Sequence, residues 1–379
     1  MTTQVRKLGT GFRDVAPFLV CFLFAPILVL SFAWGGWWLL LSPIYGYYLS
    51  VALDYFQGKD KENVDPNSPE EALTPYKLIT LIWAPIQIGL ILWSVWYVSG
   101  AAHLALHEKI LAMIGLGVAT GGVGIVFAHE LMHQKTRLER WAADLLMTSV
   151  LYGHFRSEHM LVHHRYIGTP RDPVTARYNE NFHRFFWRVV PACFLSALRA
   201  EADRLNRKGK SAFDLSNPFW IYAGLQLGFL TLSVLLGGWL GLGMFLIQAF
   251  IAIGQLELIN FIEHYGLTRE HLGDGKYEHV KPHHSWNTDF RFTNMLLINL
   301  QRHSDHHYKP SRPFPLLQTY GKDEAPQLPM SYPFMCGLAL IPPLFRWRMN
   351  PKVDRWRAKF YPHITDWTPY NEGSNPLPR

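Results

Sequence analysis

The pattern of hydrophobic and polar positions divides the chain into long apolar runs separated by polar stretches. A membrane-spanning helix needs roughly 20 mostly apolar residues. The runs close to that length predict spans at residues 15–33, 37–51, 78–98, 111–128, 219–236 and 240–258. The Gly35-Gly36 and Gly237-Gly238 links are short enough for tight helical hairpins. We therefore expect an all-α membrane protein with six transmembrane helices in a single domain, residues 1–379.

The distribution of Lys and Arg predicts how these helices are oriented. With the N-terminus inside, every Lys and Arg except Lys109 falls on the inner side of the predicted spans, in agreement with the positive-inside rule. The polar segments 129–218 and 259–345 then form a helical cytosolic cap, and 346–379 a C-terminal tail. The net charge of +7 follows from this basic inner face and indicates no nucleic-acid partner.

Composition supports the membrane assignment and excludes some redox centres. Hydrophobic residues make up 49% of the chain and charged residues only 17%, below the roughly 25% of soluble domains. The 14 Trp residues suit bilayer interfaces, where an apolar ring keeps a polar edge in water. The three cysteines are isolated, at Cys21, Cys193 and Cys336, so the chain carries no iron–sulfur or rubredoxin-type thiolate site of its own.

Histidines concentrate in four short motifs on the predicted inner side. On a helix, residues three or four apart share a face, so His129 and His133 point one way, and His159 stacks with His163. His164 lies about 100° further round and is expected to reach a second ion or the other side of the first. His264 is included because it follows the sixth span, level with His129. The candidate metal ligands are His129, His133, His159, His163, His164, His264, His303, His306 and His307.

The number of imidazoles predicts two metal ions. A catalytic zinc ion takes about three protein ligands, so these histidines are too many for one such ion. Imidazole binds Zn, Cu, Fe and Ni. A site at the membrane boundary indicates a lipid-like substrate. Attack on an inert C–H bond needs a redox metal that activates dioxygen, and zinc has no redox chemistry. We therefore expect iron, on chemical grounds rather than on spacing.

Carboxylates beside these ligands are weaker candidates for supporting roles. Metal-bound imidazoles usually donate their second N–H to a carboxylate or a carbonyl. Asp305 lies between two candidate ligands, and Glu130, Glu158 and Glu263 each adjoin one. We expect these side chains to orient the imidazoles from outside.

The remaining histidines are expected to play other roles. His103 and His107 have the four-residue spacing but lie in the short outer loop, so we expect ordinary interfacial residues. Pro282 interrupts the next group, which argues against a regular ligand face; we expect supporting or loop roles for His279, His283 and His284. Solvated or structural roles are expected for His154, His183, His271 and His363.

The four motifs resemble those of the integral-membrane alkane 1-monooxygenases. The matching segments are His-Glu-Leu-Met-His-Gln, Glu-His-Met-Leu-Val-His-His, Asn-Phe-Ile-Glu-His-Tyr-Gly-Leu and Leu-Gln-Arg-His-Ser-Asp-His-His. The resemblance runs from about Val15 to about Phe345. Its last two motifs are the specific ones, since membrane fatty-acid desaturases and hydroxylases share the three-box pattern. Phe261 replaces a frequent Tyr, and no Gly lies between His159 and His163; both departures leave the candidate ligands intact.

The resemblance implies a non-haem diiron enzyme that uses O₂ to convert the terminal C–H bond of a linear alkane into a primary alcohol. It implies that the nine candidate histidines hold two iron ions. It also implies electrons from NADH through a rubredoxin reductase and a rubredoxin, which is a separate chain or is joined beyond Arg379. The expected location is the bacterial inner membrane, with the metal site on the cytoplasmic side.

Other functions remain open at this point. A xylene-type side-chain monooxygenase or a fatty-acid desaturase or hydroxylase would use the same scaffold. A membrane zinc protease would match His129-Glu130-x-x-His133, but it leaves the other candidate ligands unexplained. A metal transporter would place its ligands near mid-bilayer, whereas these histidines lie beyond the predicted span ends.

Overall fold

The computed structural model describes residues 5–372 and is almost entirely helical. Two small sheets lie within that range. Val5–Arg6 pairs in parallel with Asn63–Val64, and His271–Gly273 pairs antiparallel with Lys276–Tyr277. The predicted all-α class is confirmed, and the strands only fasten the ends of polar loops.

Four helices in the described residues are long and apolar enough to cross a membrane. They are Phe12–Trp34, Glu70–Gly100, Leu106–Met132 and Phe219–His264. In Leu106–Met132, 78% of the apolar window is buried inside the protein, against 28% in Phe12–Trp34 and 22% in Phe219–His264. Leu106–Met132 is therefore the centre of the bundle, and the other two helices keep most of their apolar surface on the outside.

The Phe219–His264 helix is broken at Gly238, whose φ of 60° and ψ of −155° are not helical. The rings of Phe229 and Phe245 stack with their centroids 6.2 Å apart, although the intervening residues would cover about 24 Å in a straight helix. The chain therefore folds back at the predicted Gly237-Gly238 link. A Cβ at Gly237 would lie 2.3 Å from the Ser99 hydroxyl, so the turn also has no room for a side chain there.

The second predicted span, 37–51, is helical but irregular. It comprises the 3₁₀ turn Gly36–Leu40, the short α-turn Leu41–Pro43, the π turn Ile44–Leu49 and the α-helix Ser50–Gln57. Gly35 precedes it with φ 65° and ψ −164°, nearly the backbone geometry of Gly238. Because the Tyr45 hydroxyl donates to the Val20 carbonyl over 2.6 Å, this run packs back along Phe12–Trp34 as a hairpin.

Glycines let the central helix approach residues 239–264 closely. A Cβ added at Gly117 would lie 2.6 Å from Ile251, and one at Gly121 would lie 2.9 Å from the backbone of Ala252. Small residues four apart are a frequent contact motif between membrane helices. The close approach brings together the two helices that carry His129 and His264.

Buried glutamines connect the same helices through polar contacts. Gln255 donates from Nε2 to the Gly117 carbonyl over 2.7 Å. Gln248 accepts from the Thr120 hydroxyl over 3.0 Å and donates to the Ser149 carbonyl over 3.0 Å. These bonds satisfy amides that would otherwise be buried without partners, and they set the relative rotation of the helices.

The polar segments fold into shorter helices. Residues 346–360, which the sequence places in a tail, lie in the helix Pro342–Phe360, where Phe345, Met349 and Val353 are buried on one face. Residues 373–379 of that tail lie outside the described range. The other helices are Arg137–Thr148, Phe155–Glu158, His159–His163 (π), His164–Tyr166, Phe182–Asn206, Pro282–His284 (3₁₀), Arg291–Leu296, His303–Tyr308, Phe314–Leu316 (3₁₀), Tyr332–Ala339 and Thr368–Glu372.

Candidate metal centre

Two π-helical turns position the histidines of the first two motifs. The turn Thr120–Ile125 precedes the last helical segment of the central span, which carries His129. The second turn is His159–His163 itself, where the His164 amide donates to the His159 carbonyl. This i→i+5 bond places His164, rather than His163, one turn from His159. The expectation that His159 and His163 share a face is therefore wrong, because it assumed α-helical geometry.

Five imidazoles form a first group, and each contributes a nitrogen within 4.8 Å of all the others. The Nε2 atom of His164 lies 2.9 Å from that of His159, 3.2 Å from that of His133 and 3.0 Å from that of His306. Nε2 of His129 is buried and has no hydrogen-bond partner among the described residues. The first group is His129, His133, His159, His164 and His306.

Four imidazoles form a second group with the same mutual limit of 4.8 Å. The Nε2 atom of His307 lies 3.2 Å from that of His163 and 2.9 Å from that of His303, which in turn lies 3.3 Å from Nε2 of His264. All four side chains are buried. The structure thus brings all nine candidate ligands together and divides them five to four.

The spacing of these nitrogens fits metal coordination. With metal–nitrogen bonds of about 2.1 Å, neighbouring ligands of one ion are about 3.0 Å apart in an octahedron and about 3.4 Å apart in a tetrahedron. The observed Nε2 separations of 2.9–3.3 Å fall in that range. A cation at the centre of each group would bind every nitrogen lone pair that points inward. Hydrogen bonds between the imidazoles can pair only some of these nitrogens.

Burial favours the neutral form of six imidazoles that lie outside the membrane helices. Burial, followed by the charge of His163, lowers the pKa of His133 to about 3. Burial first and neighbouring imidazoles second also lower the pKa values of His159, His164, His303, His306 and His307. Neutral rings keep a free lone pair at neutral pH, as metal binding requires.

Asp172 is a supporting carboxylate that the sequence motifs do not reveal. Its Oδ2 lies 3.0 Å from Nδ1 of His163 and accepts from the Thr175 hydroxyl over 2.7 Å, while Oδ1 accepts from the Val174 amide over 3.0 Å. The carboxylate is thereby held so that His163 donates from Nδ1 and turns Nε2 towards His307. Asp172 follows a proline-containing loop, and no spacing rule connects it to His163.

Two of the carboxylates expected to orient imidazoles have other partners in the structure. Oε1 of Glu130 accepts from the Phe314 amide over 3.2 Å. Asp305 pairs with Arg312 over 2.5 Å and accepts from the Tyr320 hydroxyl over 2.6 Å. Helical residues one or two apart point in different directions, so both carboxylates face the loop after the last histidine motif. The geometry also disfavours Glu130 as the base of a zinc protease.

Glu263 lies beside the second group. Its Oε2 is 3.2 Å from Nε2 of His303, on the side of the ring that faces the other imidazoles. A carboxylate oxygen at this place adds a negatively charged donor to a group of neutral ones. Glu263 is therefore better placed to contact a bound ion than to orient a ring from outside.

Further buried carboxyl groups surround the histidines. Glu158 is fully buried, and neither of its oxygens has a hydrogen-bond partner in the described residues. Burial, followed by the charges of Asp172 and Glu257, raises its pKa. Two divalent cations on neutral ligands would bring positive charge into the interior, where it needs nearby negative groups. These carboxyl groups can supply the negative charge. Glu257 is also an ionisable residue inside an apolar helix, which indicates a functional role.

Two apolar cavities lie between the membrane helices and the histidines. The first, about 20 Å³, has His129, His159 and His303 in its wall. The second, about 40 Å³, lies further from the histidines and is almost entirely apolar. Ile259 lines both. This side chain is therefore the wall that the two cavities share.

A third set, Glu278, His283 and His284, also has ligand atoms within 4.8 Å of one another. Nδ1 of His284 accepts the Lys281 amide over 2.9 Å, which leaves its Nε2–H to donate to the Tyr361 hydroxyl over 2.7 Å. The Lys281 ammonium lies 2.6 Å from Glu278. The ligand atoms of this set already have protein partners, and the Lys281 ammonium lies beside them. The set is therefore a hydrogen-bond network that holds Tyr361 in place.

Other histidines lie apart from the two groups. Nε2 of His103 is 3.0 Å from the Phe32 carbonyl, and neither His103 nor His107 belongs to a metal-compatible set in the described residues. His154 is buried against the Tyr152 ring and is not solvated. The four-residue spacing alone therefore does not identify a ligand in this chain.

The fold and the site define a helical membrane protein with two buried groups of imidazoles that fit metal ions. The family model of fatty acid desaturases matches residues 105–339. That match includes every candidate histidine and two of the four membrane-length helices, Leu106–Met132 and Phe219–His264.

Sequence relatives narrow the family further. Alkane 1-monooxygenase 2 of Pseudomonas aeruginosa is 39% identical over 333 residues, covering 87% of each chain. Alkane 1-monooxygenase 2 of Alcanivorax borkumensis is 37% identical over 323 residues, covering 84% of this chain and 83% of the relative. The hydroxylase component of xylene/toluene monooxygenase from Pseudomonas putida is 31% identical over 342 residues, covering 88% and 87%. The chain belongs to the alkane 1-monooxygenases within the fatty acid desaturase family.

Proposed function

We propose that this chain hydroxylates the terminal carbon of linear alkanes to primary alcohols, as a non-haem diiron monooxygenase that uses O₂. Relatives named alkane 1-monooxygenase, 36–39% identical over most of the chain, support the reaction. The convergence of nine buried imidazoles into groups of five and four carries the proposal.

The two groups provide one binding site for each iron ion. The first ion would be held by His129, His133, His159, His164 and His306, and the second by His163, His264, His303 and His307. Glu263 is a further donor for the second ion, because its Oε2 already lies 3.2 Å from Nε2 of His303. Imidazole suits iron, and only a redox-active metal suits the oxidation of a C–H bond.

When bound, the irons would supply the redox chemistry that activates O₂. The residues of the chain keep the ligand imidazoles neutral, fix their orientation and exclude water from them. Asp172 fixes the tautomer of His163, the buried carboxyl groups offset positive charge, and the apolar wall beside His129 excludes water. These conditions would keep solvent away from the site while a hydrocarbon substrate is bound.

The two apolar cavities support a hydrocarbon substrate that enters from the membrane helices. Burial of each CH₂ group contributes about 0.8 kcal/mol without fixing its position. A narrow passage at Ile259 would admit the end of a linear chain before any other part of it. Selectivity for the terminal carbon follows, because that carbon reaches the histidine-lined cavity first.

A side-chain monooxygenase acting on methylated aromatic rings is the second candidate. It is favoured by the relative named as the hydroxylase component of xylene/toluene monooxygenase, at 31% identity. The relatives named alkane 1-monooxygenase are more similar, at 36–39% identity, and they favour the linear substrate.

Electrons are proposed to come from NADH through a rubredoxin reductase and a rubredoxin. The three cysteines, Cys21, Cys193 and Cys336, are buried and far apart in sequence, so they do not form a Cys₄ site of the rubredoxin type. A separate or fused electron-transfer protein is therefore required.

We further propose six membrane spans in the bacterial inner membrane, with the histidines on the cytoplasmic side. The fold-back at Gly238 supports two spans within Phe219–His264, and the similar turn at Gly35 supports a span from Gly36 to Gln57. The Lys and Arg distribution supports the orientation.

The test is an assay of the purified chain in lipid nanodiscs with rubredoxin, reductase, NADH and O₂. We expect about two irons per chain and 1-octanol from octane, with p-xylene a poorer substrate. One zinc per chain, or product from p-xylene alone, would contradict the proposal. Omitting rubredoxin is the control, and it should abolish product without changing the iron content.

A further inference from the structure

A pocket of about 210 Å³, lined by none of the nine histidines, lies near the first turns of two membrane helices. Arg13 and Phe18 of the first membrane helix and Tyr76 of the second form one side of it. Arg291 and Arg302, from the segment leading to the last histidine motif, form the other. The proposed hydroxylation does not use this pocket.

Arg302 lines the pocket with an incompletely satisfied guanidinium group. Its side chain is 5% exposed. One terminal nitrogen donates to the Leu317 carbonyl over 2.7 Å and the other to the Glu62 carbonyl over 3.1 Å, but Nε has no acceptor among the described residues. A buried charged donor without an acceptor is costly, so the pocket favours a ligand that brings an oxygen anion.

Three more guanidinium groups face the same space. Arg6, Arg13 and Arg291 line the pocket, and none of them forms an ion pair with a carboxylate within residues 5–372. Arginine forks match phosphate oxygens in geometry and charge. Together with Arg302, these residues offer a place for a phosphate group.

Acidic groups line the pocket as well, and they change the expected ligand. Asp14, Asp60 and Glu62 contribute to the wall, and Oδ1 of Asp60 accepts only from the Glu62 amide, over 3.0 Å. These three carboxylates offset most of the attraction that the four arginines exert on a simple anion. A molecule that carries a phosphate and an ammonium group would instead satisfy both sets, because each charge meets its opposite.

The position of the pocket indicates where such a molecule comes from. It opens at the start of Phe12–Trp34, and Pro17 and Phe18 form an apolar part of its wall. Further along that helix, Leu19 and Leu23 are 37% and 48% exposed, on a surface suited to acyl chains. A phospholipid can therefore place its headgroup in the pocket and its tails along the helix.

We propose that this pocket binds a headgroup with a phosphate and a primary ammonium, as in phosphatidylethanolamine. The arginines hold the phosphate, and the carboxylates accept from the ammonium. Because Arg302 directly precedes His303, an occupied pocket also supports the start of the helix His303–Tyr308. Soluble phosphoethanolamine carries the same two charged groups, so the test must separate the two sources.

The test is native mass spectrometry of the delipidated full-length protein, titrated with phosphatidylethanolamine, phosphatidylglycerol, phosphatidylcholine or phosphoethanolamine. We expect phosphatidylethanolamine to bind about tenfold more tightly than the other two lipids, because only it can donate from a primary ammonium. The double variant Arg13→Gln/Arg291→Gln should lose about tenfold in that affinity. Arg207→Gln removes an exposed arginine elsewhere and should change nothing.

A second variant tests the acidic side of the pocket. Asp14→Asn/Asp60→Asn should remove the preference for phosphatidylethanolamine over phosphatidylglycerol while leaving phosphatidylglycerol bound. Iron content close to that of the unmodified protein confirms that each variant is folded. Phosphoethanolamine binding without lipid binding would support the headgroup chemistry and assign it to a soluble ligand. Equal affinity for all three lipids, or unchanged affinity in the arginine variant, would overturn the proposal, and neither result depends on hydroxylation.

Discussion

Nδ1 of His163 donates to Oδ2 of Asp172 over 3.0 Å, and this contact directs Nε2 of the same ring towards His307. The carboxylate is held by two further bonds, from the Thr175 hydroxyl and the Val174 amide. A carboxylate behind a ligating imidazole fixes its tautomer and raises its basicity. The second group of imidazoles therefore depends on a residue outside every histidine motif.

Replacing Asp172 with Asn tests this dependence. The variant keeps the size of the side chain but loses the negative charge behind His163. We expect iron affinity to fall about 10–100-fold, as for other supporting residues, with a parallel loss of hydroxylation at limiting iron. Iron titration followed by elemental analysis measures the change. Asp203→Asn, an exposed carboxylate on Phe182–Asn206, is the matched control, and an equal loss there would show a general effect.

Removing single imidazoles tests the division into two groups. His306→Ala takes a ligand from the first group and His307→Ala takes one from the second. Both should abolish alkane hydroxylation and lower the iron content, because two ions are required together. His103→Ala should do neither, since that ring lies against the Phe32 carbonyl. Full activity in His306→Ala would contradict the assignment.

The close contact at Gly121 makes a packing prediction. A leucine there would collide with the backbone of Ala252, which already lies 2.9 Å from an added Cβ. We expect a loss of about 1–3 kcal/mol or more in stability, and loss of iron, because the helices that carry His129 and His264 would separate. Thermal unfolding in detergent measures the first effect. Gly243→Leu, where nothing lies within 4 Å, should be tolerated.

The apolar cavity predicts a substrate-length effect at Gly122. An added Cβ would lie 3.7 Å from Gln255, an ordinary contact, so Gly122→Ala should fold while it narrows the larger cavity. Each CH₂ that no longer fits would cost about 0.8 kcal/mol of binding. The kcat/KM for longer alkanes should fall relative to shorter ones, as product analysis of an alkane series would show. Gly89→Ala, with nothing within 4 Å, is the control; a parallel shift in it would rule out the cavity as the cause.

The network around Tyr361 predicts loss of stability in acid. Burial, followed by the charge of His284, lowers the pKa of His283 to about 3, whereas an unfolded chain has a His pKa of about 6.5. Between these values the unfolded state binds the additional proton, so stability falls as the pH drops below about 6.5. His283→Gln should lose less Tm between pH 7.5 and 5 than the unmodified protein. His183→Gln should not reduce that loss, and an unchanged pH profile in His283→Gln would refute the assignment.

The sequence by itself determined the elements that depend on local pattern. Apolar runs of sufficient length predict the membrane helices, because a bilayer leaves the backbone no partner but itself. Glycine pairs such as Gly237-Gly238 predict a turn, because only glycine adopts the required φ at low cost. The nine histidines could be chosen because their spacing and their position beside the spans are both visible in one dimension.

The tertiary structure alone decided how these residues combine. A π turn at His159–His163 sends His163 and His164 to opposite groups, and a single inserted residue in a helix leaves no pattern in the sequence. Asp172 and Arg302 acquire their roles from partners that are distant or irregularly spaced along the chain. Spacing rules describe one helix at a time, whereas a metal group or a headgroup pocket is defined by several segments that only packing brings together.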